Sequence, residues 1–173
     1  MIVRPAKAED AAAIAVVHVR SWQGAYRGLL PQHFLDGLDA ARRLAAWERS
    51  LAADDWPRSG ALVAVDGADV IGFVHVLPSR DDDADPATVG EVSSIYVRPD
   101  VVGTGVGRSL MQGAIEALRS ARYASATLWV LADNARAIAF YEAGGWRPDG
   151  TRKQDELAGV EITEARYRRA LTD

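Results

Sequence analysis

The most informative segment of this chain reads Val97-Arg98-Pro99-Asp100-Val101-Val102-Gly103-Thr104-Gly105-Val106-Gly107-Arg108-Ser109. Its three alternate glycines lie between an apolar, strand-like segment and a segment whose apolar residues recur at helical spacing. Glycine in such a turn permits a positive φ and lets a ligand approach the backbone closely. The first N–H groups of a helix lack intrahelical partners and lie at the positive end of its dipole. The segment therefore predicts an anion site, to which Arg108 adds a charge.

Two common phosphate-binding loops do not fit this turn. A P-loop requires glycine, four residues and then Gly-Lys-Ser/Thr, whereas Gly107 precedes Arg108 and the position five before Gly107 is Val102. A dinucleotide fingerprint requires glycine where Arg108 stands and an acidic residue about 20 positions later, and residues 117–132 contain none. The turn therefore either binds another phosphate-bearing ligand or is a glycine turn without a ligand.

The remaining pattern predicts one mixed α/β domain over residues 1–173, ordered β-α-α-β-β-β-α-β-α-β-β. Asp66-Gly67 lies between two apolar runs and predicts a hairpin. Residues 78–88 are predicted as a solvated acidic loop, and residues 21–31 as an aromatic- and glycine-bearing connection. Strands are predicted at residues 2–5, 61–65, 70–77, 91–97, 127–131, 146–153 and 160–169, and helices at 9–20, 31–51 with a break near Gly37, 106 onward, and 134–143.

Composition excludes several classes of protein. The chain has 173 residues, a net charge of -4 and no cysteine, which rules out disulfides, thiolate metal sites and a cysteine nucleophile. The acidic balance argues against a general nucleic-acid binder, and without metal-ligand spacing among the histidines no metal is expected. No apolar run reaches the ~18 residues of a membrane span and the N-terminus lacks a signal-peptide pattern, so we expect a cytoplasmic protein without membrane contact. The excess of arginine over lysine suggests a bacterial source.

Two motifs resemble the GCN5-related N-acetyltransferase (GNAT) family. The family's first motif, often written Arg-Gly-x-Gly-x-Gly, corresponds to Val102-Gly103-Thr104-Gly105-Val106-Gly107, with valine in place of the basic or amide residue. Its second motif, Asn-x-x-Ala-x-x-Phe-Tyr-x-x-x-Gly-Phe, corresponds in register to residues 134–146, apart from Trp146 for phenylalanine. The resemblance is clear over residues 60–147, and the element order extends it to the whole chain.

The resemblance implies a mostly antiparallel sheet of about seven strands, splayed between the fourth and fifth strands and flanked by about four helices. It also implies acetyl-coenzyme A (acetyl-CoA) as co-substrate, with its pantetheine arm in the gap, paired with the fourth strand. One N–H of that strand would polarise the acetyl carbonyl, as an oxyanion hole does. The coenzyme-binding residues so implied are Ile95, Tyr96 and Val97 of the strand, Gly103, Thr104, Gly105, Val106, Gly107 and Arg108 of the turn, and Asn134, which could equally be a plain helix cap.

The implied reaction is direct attack of a primary amine on the thioester, and two residues match the family's catalytic groups. Glu91 would be the base that deprotonates the ammonium, directly or through water, and Tyr141 would protonate the departing thiolate. The alternatives stay open: Glu91 is a surface glutamate, Tyr141 is a packed helix residue beside Phe140, or His75 is the base. Valine at position 102 also favours another class of protein, a member of the fold that binds coenzyme A without turnover.

The acceptor is expected to be a small amine. In the family, the segment between the first two helices and the last hairpin shapes the acceptor pocket, and here these segments offer Trp22 and Tyr26, with Tyr167 from the hairpin. An aromatic wall near acidic loop residues suits an amino acid, a polyamine or a drug-like amine. A protein N-terminus or lysine is the alternative. Homodimers are common in the family, and nothing in this sequence specifies an interface.

Overall fold

A seven-stranded sheet with helices on both faces forms the centre of the molecule. The computed structural model describes residues 1–171. Its strands are β1 (Ile2–Pro5), β2 (Gly60–Asp66), β3 (Asp69–Pro78), β4 (Val89–Val97), β5 (Ser125–Leu131), β6 (Arg147–Leu157) and β7 (Val160–Ala170), in the sheet order β1-β2-β3-β4-β5-β7-β6. Its α-helices are α1 (Ala11–Ala25), α2 (Gln32–Asp36), α3 (Ala40–Ala52), α4 (Val106–Ser120) and α5 (Ala135–Ala143). In the described part of the chain, none of these helices has the length and apolar character needed to cross a membrane.

The sheet is antiparallel except where β4 meets β5. These two strands pair in parallel over only three positions, residues 89–91 of β4 with residues 125–127 of β5. β4 then continues beside β3 as far as Val97, while β5 continues beside β7. A register shift against β3 makes Ser93 an extra residue, a β-bulge at the point where β4 and β5 part. The predicted splay between the fourth and fifth strands is therefore confirmed.

Apolar side chains cover both faces of the sheet. Helix α4 lays a buried stripe that includes Leu110 and Leu118 on one face. Helices α1 and α3 cover β2, β3 and β4 on the other face, where Ile14 and Trp47 pack near Phe73. β4 is therefore packed between helices on both faces of the sheet. This packing fixes the position of β4, which forms one side of the gap between β4 and β5.

The acidic loop after β3 covers β5 and β7 and is tied down by a buried arginine. Arg166 of β7 is 3% exposed and contacts Asp83 at 2.5 and 2.7 Å, Asp149 at 2.7 Å and Asp81 at 3.2 Å. Trp129 of β5 also donates from Nε1 to Asp81 at 2.9 Å. The expectation of a solvated loop is correct for Asp83, whose side chain is 61% exposed, and wrong for Asp81, whose side chain is 12% exposed; both pair with a cation from a distant strand.

Replacing Arg166 with methionine should be strongly destabilising, because three carboxylates lose the cation that they surround. We expect a loss of about 3–5 kcal/mol in the free energy of unfolding, measured by urea denaturation. Arg168→Met is the matched control: its side chain is 37% exposed and lies 3.7 Å from the same Asp149, so it should cost less than about 1 kcal/mol. Equal losses in the two variants would show that Arg166 does not hold the loop.

Two helices differ from the pattern read in the sequence. Helix α1 continues past Arg20 to Ala25, so the first part of the expected connection is helical. Tertiary contacts stabilise this extra turn: buried Ser21 donates from Oγ to the Val97 carbonyl at 2.9 Å. The second helical stretch consists of α2 and α3, and the first of these ends at Gly37, as anticipated.

Candidate functional site

The free edge of β4 forms the first part of the site. The Arg98 N–H donates to the Ile71 carbonyl of β3 at 2.9 Å. In an antiparallel ladder, residues that bond to one neighbouring strand alternate with residues whose backbone groups face the other side. Ile95 and Val97 therefore turn their backbone groups toward the gap, where the Val97 carbonyl already accepts from Ser21 Oγ at 2.9 Å. The backbone groups of Tyr96 face β3, so this residue is available to the site only through its side chain.

The glycine turn lies at the end of this free edge. Gly103 and Gly105 have φ values of 87° and 95°. If a Cβ were added to either residue, no atom of another described residue would lie within 4 Å of it. The first bond of α4 runs from the Ser109 N–H to the Gly105 carbonyl at 3.1 Å. The N–H groups of residues 106–108 precede that bond and lie at the positive end of the helix dipole. The backbone is thus open to an anionic group.

The side chains of the turn divide between core and surface. Val106, the first residue of α4, is 3% exposed and packs in the core, so its backbone is the part that reaches the site. Arg108 is exposed, and Thr104 donates from Oγ1 to the Val101 carbonyl at 2.7 Å, which stabilises the turn. Val102 is 38% exposed at the position where a basic or amide residue was expected. The turn keeps one cationic side chain, that of Arg108.

Helix α5 contributes Asn134 and Tyr141. The Oδ1 atom of Asn134 accepts from the Ala137 N–H at 3.1 Å and caps the helix, which leaves its Nδ2 hydrogens as donors. Burial raises the pKa of Tyr141, and the nearby Tyr26 raises it further. Tyr26 directly follows the last residue of α1, so the end of α1 lies near Tyr141 of α5. At neutral pH the Tyr141 hydroxyl is protonated and can donate.

An aromatic cluster joins the end of α1 to β4. The hydroxyls of Tyr26 and Tyr96 are 3.2 Å apart, the rings of Trp22 and Tyr26 lie 4.9 Å apart, and His18 stacks on Tyr96 at 5.2 Å. The Trp22 Nε1 is buried and makes no well-aligned hydrogen bond in residues 1–171, although it lies near enough to the Tyr96 hydroxyl to lower the pKa of that group slightly against the effect of burial. No sequence motif marks His18 as part of this cluster, although its place four residues before Trp22 on one helix face is a usable signal. Tyr167, expected here, is instead buried in the core on the α4 side.

Glu91 lies at the base of the gap, in the last pair that β4 makes with β5. It is 3% exposed, so the surface-glutamate alternative is wrong. Arg80 donates to its carboxylate from the backbone N–H at 3.2 Å, from Nε at 3.2 Å and from Nη2 at 2.5 Å. A carboxylate offers about four lone-pair sites, so one remains for a ligand or water. Nothing in the sequence pattern of the loop marks Arg80 as this partner.

Comparison with known proteins agrees with this geometry. The model of the acetyltransferase (GNAT) family matches residues 22–146. The chain is 33% identical to the uncharacterized N-acetyltransferase YuaI of Bacillus subtilis, over 94% of this chain and 88% of that protein. It is 35% identical to mycothiol acetyltransferase of Propionibacterium freudenreichii, over 57% of this chain and 31% of that protein. The crystal structure of the PaiA N-acetyltransferase of Thermoplasma acidophilum, in complex with coenzyme A, has a TM-score of 0.72 at 18% identity and covers 98% of both chains. Because the family model spans the gap, the glycine turn and α5 together, the chain belongs to the acetyltransferase (GNAT) family.

Proposed function

We propose that this protein transfers the acetyl group of acetyl-CoA to a primary amine of a small molecule. The observation that carries the proposal is the free edge of β4, which leads directly into the open glycine turn. A thin ligand with amides along its length and a pyrophosphate at one end fits both features at once. Acetyl-CoA has this form, and the related PaiA structure contains coenzyme A.

Groups along the gap would bind successive parts of the coenzyme, from the pyrophosphate to the thioester. The N–H groups of residues 106–108 and the Arg108 guanidinium would bind the pyrophosphate. The backbone of Ile95 and Val97 would bond to the amides of the arm as a neighbouring strand does, and Asn134 Nδ2 would add a donor. When bound, acetyl-CoA supplies an activated thioester. One N–H of this edge, that of Ile95 or Val97, would polarise its carbonyl.

Glu91 and Tyr141 would move the protons of the reaction. Glu91 has a negative charge and one lone pair that Arg80 leaves free, so it would attract the ammonium and receive its proton, directly or through water. The Tyr141 hydroxyl, protonated because burial raises its pKa, would donate to the departing thiolate. The two residues lie on different elements, β4 and α5, that border the same gap.

The aromatic cluster supports a small acceptor. Trp22, Tyr26 and Tyr96 bring rings and hydroxyls together at short distances, which suits an acceptor of a few apolar and polar groups. The Trp22 Nε1, which makes no well-aligned hydrogen bond within the described residues, would donate to a carbonyl or carboxylate of that acceptor. The charge of Glu164, from β7 across the gap, also acts on the Tyr26 hydroxyl and raises its pKa, though less than burial does. A carboxylate and neutral hydrogen-bond donors therefore border the acceptor space.

Calorimetric titration with acetyl-CoA, with ATP and NAD as controls, tests the coenzyme. We expect a dissociation constant in the micromolar range for acetyl-CoA alone. Release of free thiol with 2-phenylethylamine, L-amino acids, spermidine and a lysine peptide then tests the acceptor. Binding without thiol release would favour the non-catalytic alternative to which Val102 points, and release with the peptide alone would favour protein acetylation.

Gly105→Ala should weaken acetyl-CoA binding at least tenfold, because a Cβ there enters the space through which the ligand approaches the turn. The matched control is Gly159→Ala in the β6–β7 turn, where φ is 75° and the added Cβ also meets nothing within 4 Å in the described residues. Both variants should lose about 1 kcal/mol of stability from the left-handed conformation. Calorimetric titration with acetyl-CoA should show weaker binding for Gly105→Ala alone. Equal affinities of the two variants would contradict the assigned role of the turn.

A further inference from the structure

A proton taken up at Glu91 needs a path to solvent. Glu91 is 3% exposed and Arg80 covers its carboxylate, so the carboxylate itself has little contact with bulk water. His75 stands on the neighbouring strand β3, close enough to Glu91 for that charge to raise its pKa. The ring of His75 also connects the sheet to helix α3, as its two hydrogen bonds show.

His75 bonds to a serine at each ring nitrogen. Its Nδ1 lies 2.7 Å from Oγ of Ser93, the extra residue of the β4 bulge, and that hydroxyl also lies 3.3 Å from the His75 carbonyl, a second acceptor for its hydrogen. Its Nε2 lies 3.2 Å from Oγ of Ser50 on α3. Both serines are half-buried, so each keeps some exposed surface, one beside the gap and one on the helix. Since hydroxyls donate and accept, the three side chains form a continuous chain of exchangeable protons.

Burial, more than the neighbouring charges, lowers the pKa of His75 and keeps its ring neutral at physiological pH. Burial lowers the pKa of His75 to about 4, Arg80 lowers it as well, and Glu91 partly offsets them. Helix α3 adds only Ser50 and the ring of Trp47, whose centroid is 5.9 Å away. A neutral imidazole has one N–H and one free lone pair, so it can accept a proton at one nitrogen while it releases another from the second.

We propose that Ser93, His75 and Ser50 form a proton relay that carries the proton of the acceptor ammonium from the gap to solvent at α3. This inference rests on the proposed acetyl transfer to an amine. The proton leaves the ammonium, directly or by way of Glu91, and joins Ser93 Oγ as the Ser93 hydrogen passes to His75 Nδ1. The Nε2 hydrogen passes to Ser50 Oγ, and a Ser50 hydrogen passes to water. The ammonium loses one proton and solvent gains one.

After this transfer the His75 ring carries its hydrogen on Nδ1 instead of Nε2. When the product has left and water again fills the gap, the reverse exchange restores the first tautomer. Water then supplies a proton through Ser50 to Nε2, and Nδ1 returns its proton through Ser93 to water in the gap. Over the whole cycle the two exchanges at Ser50 cancel, so the relay takes the proton away during acetyl transfer, and one proton per acetyl group is released to water in the gap after the product has left. None of the three side chains needs to touch the acetyl group. Their role is to pass on the proton that the ammonium releases.

Ser93→Ala and Ser50→Ala break the relay at its two ends, and Ser94→Ala removes a neighbouring hydroxyl of β4 as the control. The assay compares 2-phenylethylamine with its 2,2-difluoro analogue, whose ammonium is more acidic. At neutral pH both relay variants should lower kcat/KM for 2-phenylethylamine about tenfold, less than the loss of a whole acid–base group. The defect should disappear with the fluorinated amine, and also as the pH approaches the alkylamine pKa of ~10.4. The KM for acetyl-CoA should not change.

The outcomes separate a relay from a packing role. A defect of equal size for both amines at every pH, or wild-type rates in both variants, would overturn the relay. If the wild-type protein acetylates no amine, the proposed function fails, and that result comes from the wild-type assay alone. The serine variants carry the test because replacement of buried His75 itself could prevent folding.

Nitrogen-15 NMR of the His75 ring provides a readout without activity. In the free protein we expect the signals of a neutral imidazole at pH 7, with a shift of the Nδ1 resonance in Ser93→Ala and of the Nε2 resonance in Ser50→Ala. An imidazolium at pH 7 would overturn the relay, because no lone pair would be free to accept the proton. Ring resonances that shift in neither variant would also overturn the relay.

Discussion

Glu91→Gln is expected to lower kcat/KM for an alkylamine by about 10²- to 10⁴-fold, the range for loss of a general base. The amide keeps the shape of the side chain and one oxygen that accepts from Arg80, but it lacks the charge that attracts the ammonium and the basicity that takes its proton. Acetyl-CoA should bind with unchanged affinity, because Glu91 lies at the base of the gap and the proposed phosphate site lies at the glycine turn. Steady-state kinetics and calorimetry together measure both quantities.

The loss of activity in Glu91→Gln should become smaller as the pH rises. At neutral pH an alkylamine arrives as ammonium, so the variant lacks the group that deprotonates it, and the defect is largest. As the pH rises toward ~10.4, more of the amine arrives neutral and the defect should shrink. Glu116→Gln on the exposed side of α4 is the control and should leave both kinetics and pH profile unchanged. A Glu91→Gln variant with full activity at neutral pH would assign the proton to another acceptor.

Much of the fold could be predicted because its signals are local in sequence. The Asp66-Gly67 turn, the glycine turn before α4 and the Asn134 cap each act within a few neighbouring residues, and the structure has a hairpin turn, a helix start and an N-cap at these places. The end of α1 was missed because its last turn depends on Ser21, which bonds to a carbonyl 76 positions away. No short window of sequence contains that information.

The site was less predictable for the same physical reason. Residue types with the right chemistry stand out in the sequence, but the partner that sets each one's charge or orientation comes from another element. Tyr26 meets Tyr96 70 positions later, and Arg166 meets Asp83 83 positions earlier. Glu91 could be placed in a strand from its apolar neighbours, yet nothing in the sequence indicates that Arg80 covers it. Motif analysis therefore names candidate residues better than it predicts their pairings.

Tyr141→Phe is expected to lower kcat by about 10²-fold, the low end of the range for a lost acid, because a thiolate of pKa ~8.5 leaves fairly well without a proton. Phenylalanine fills nearly the same volume, so the packing of α5 beside Phe140 should survive and acetyl-CoA should bind as before. The variant separates the hydroxyl from the ring. It therefore also tests the alternative that Tyr141 is only a packed helix residue.

The pH dependence of the Tyr141 variant follows from burial. Because burial raises the pKa of Tyr141, its hydroxyl remains protonated well above neutral pH, and the wild-type rate should not fall from phenol ionisation between pH 7 and about 10. The ratio of wild-type to variant kcat should accordingly stay constant over that range, whereas the ratio for Glu91→Gln should shrink. Tyr123→Phe, whose hydroxyl donates to the Arg58 carbonyl away from the gap, is the control and should keep full activity. A ratio for Tyr141→Phe that falls with rising pH would assign Tyr141 to deprotonation of the amine instead of protonation of the thiolate.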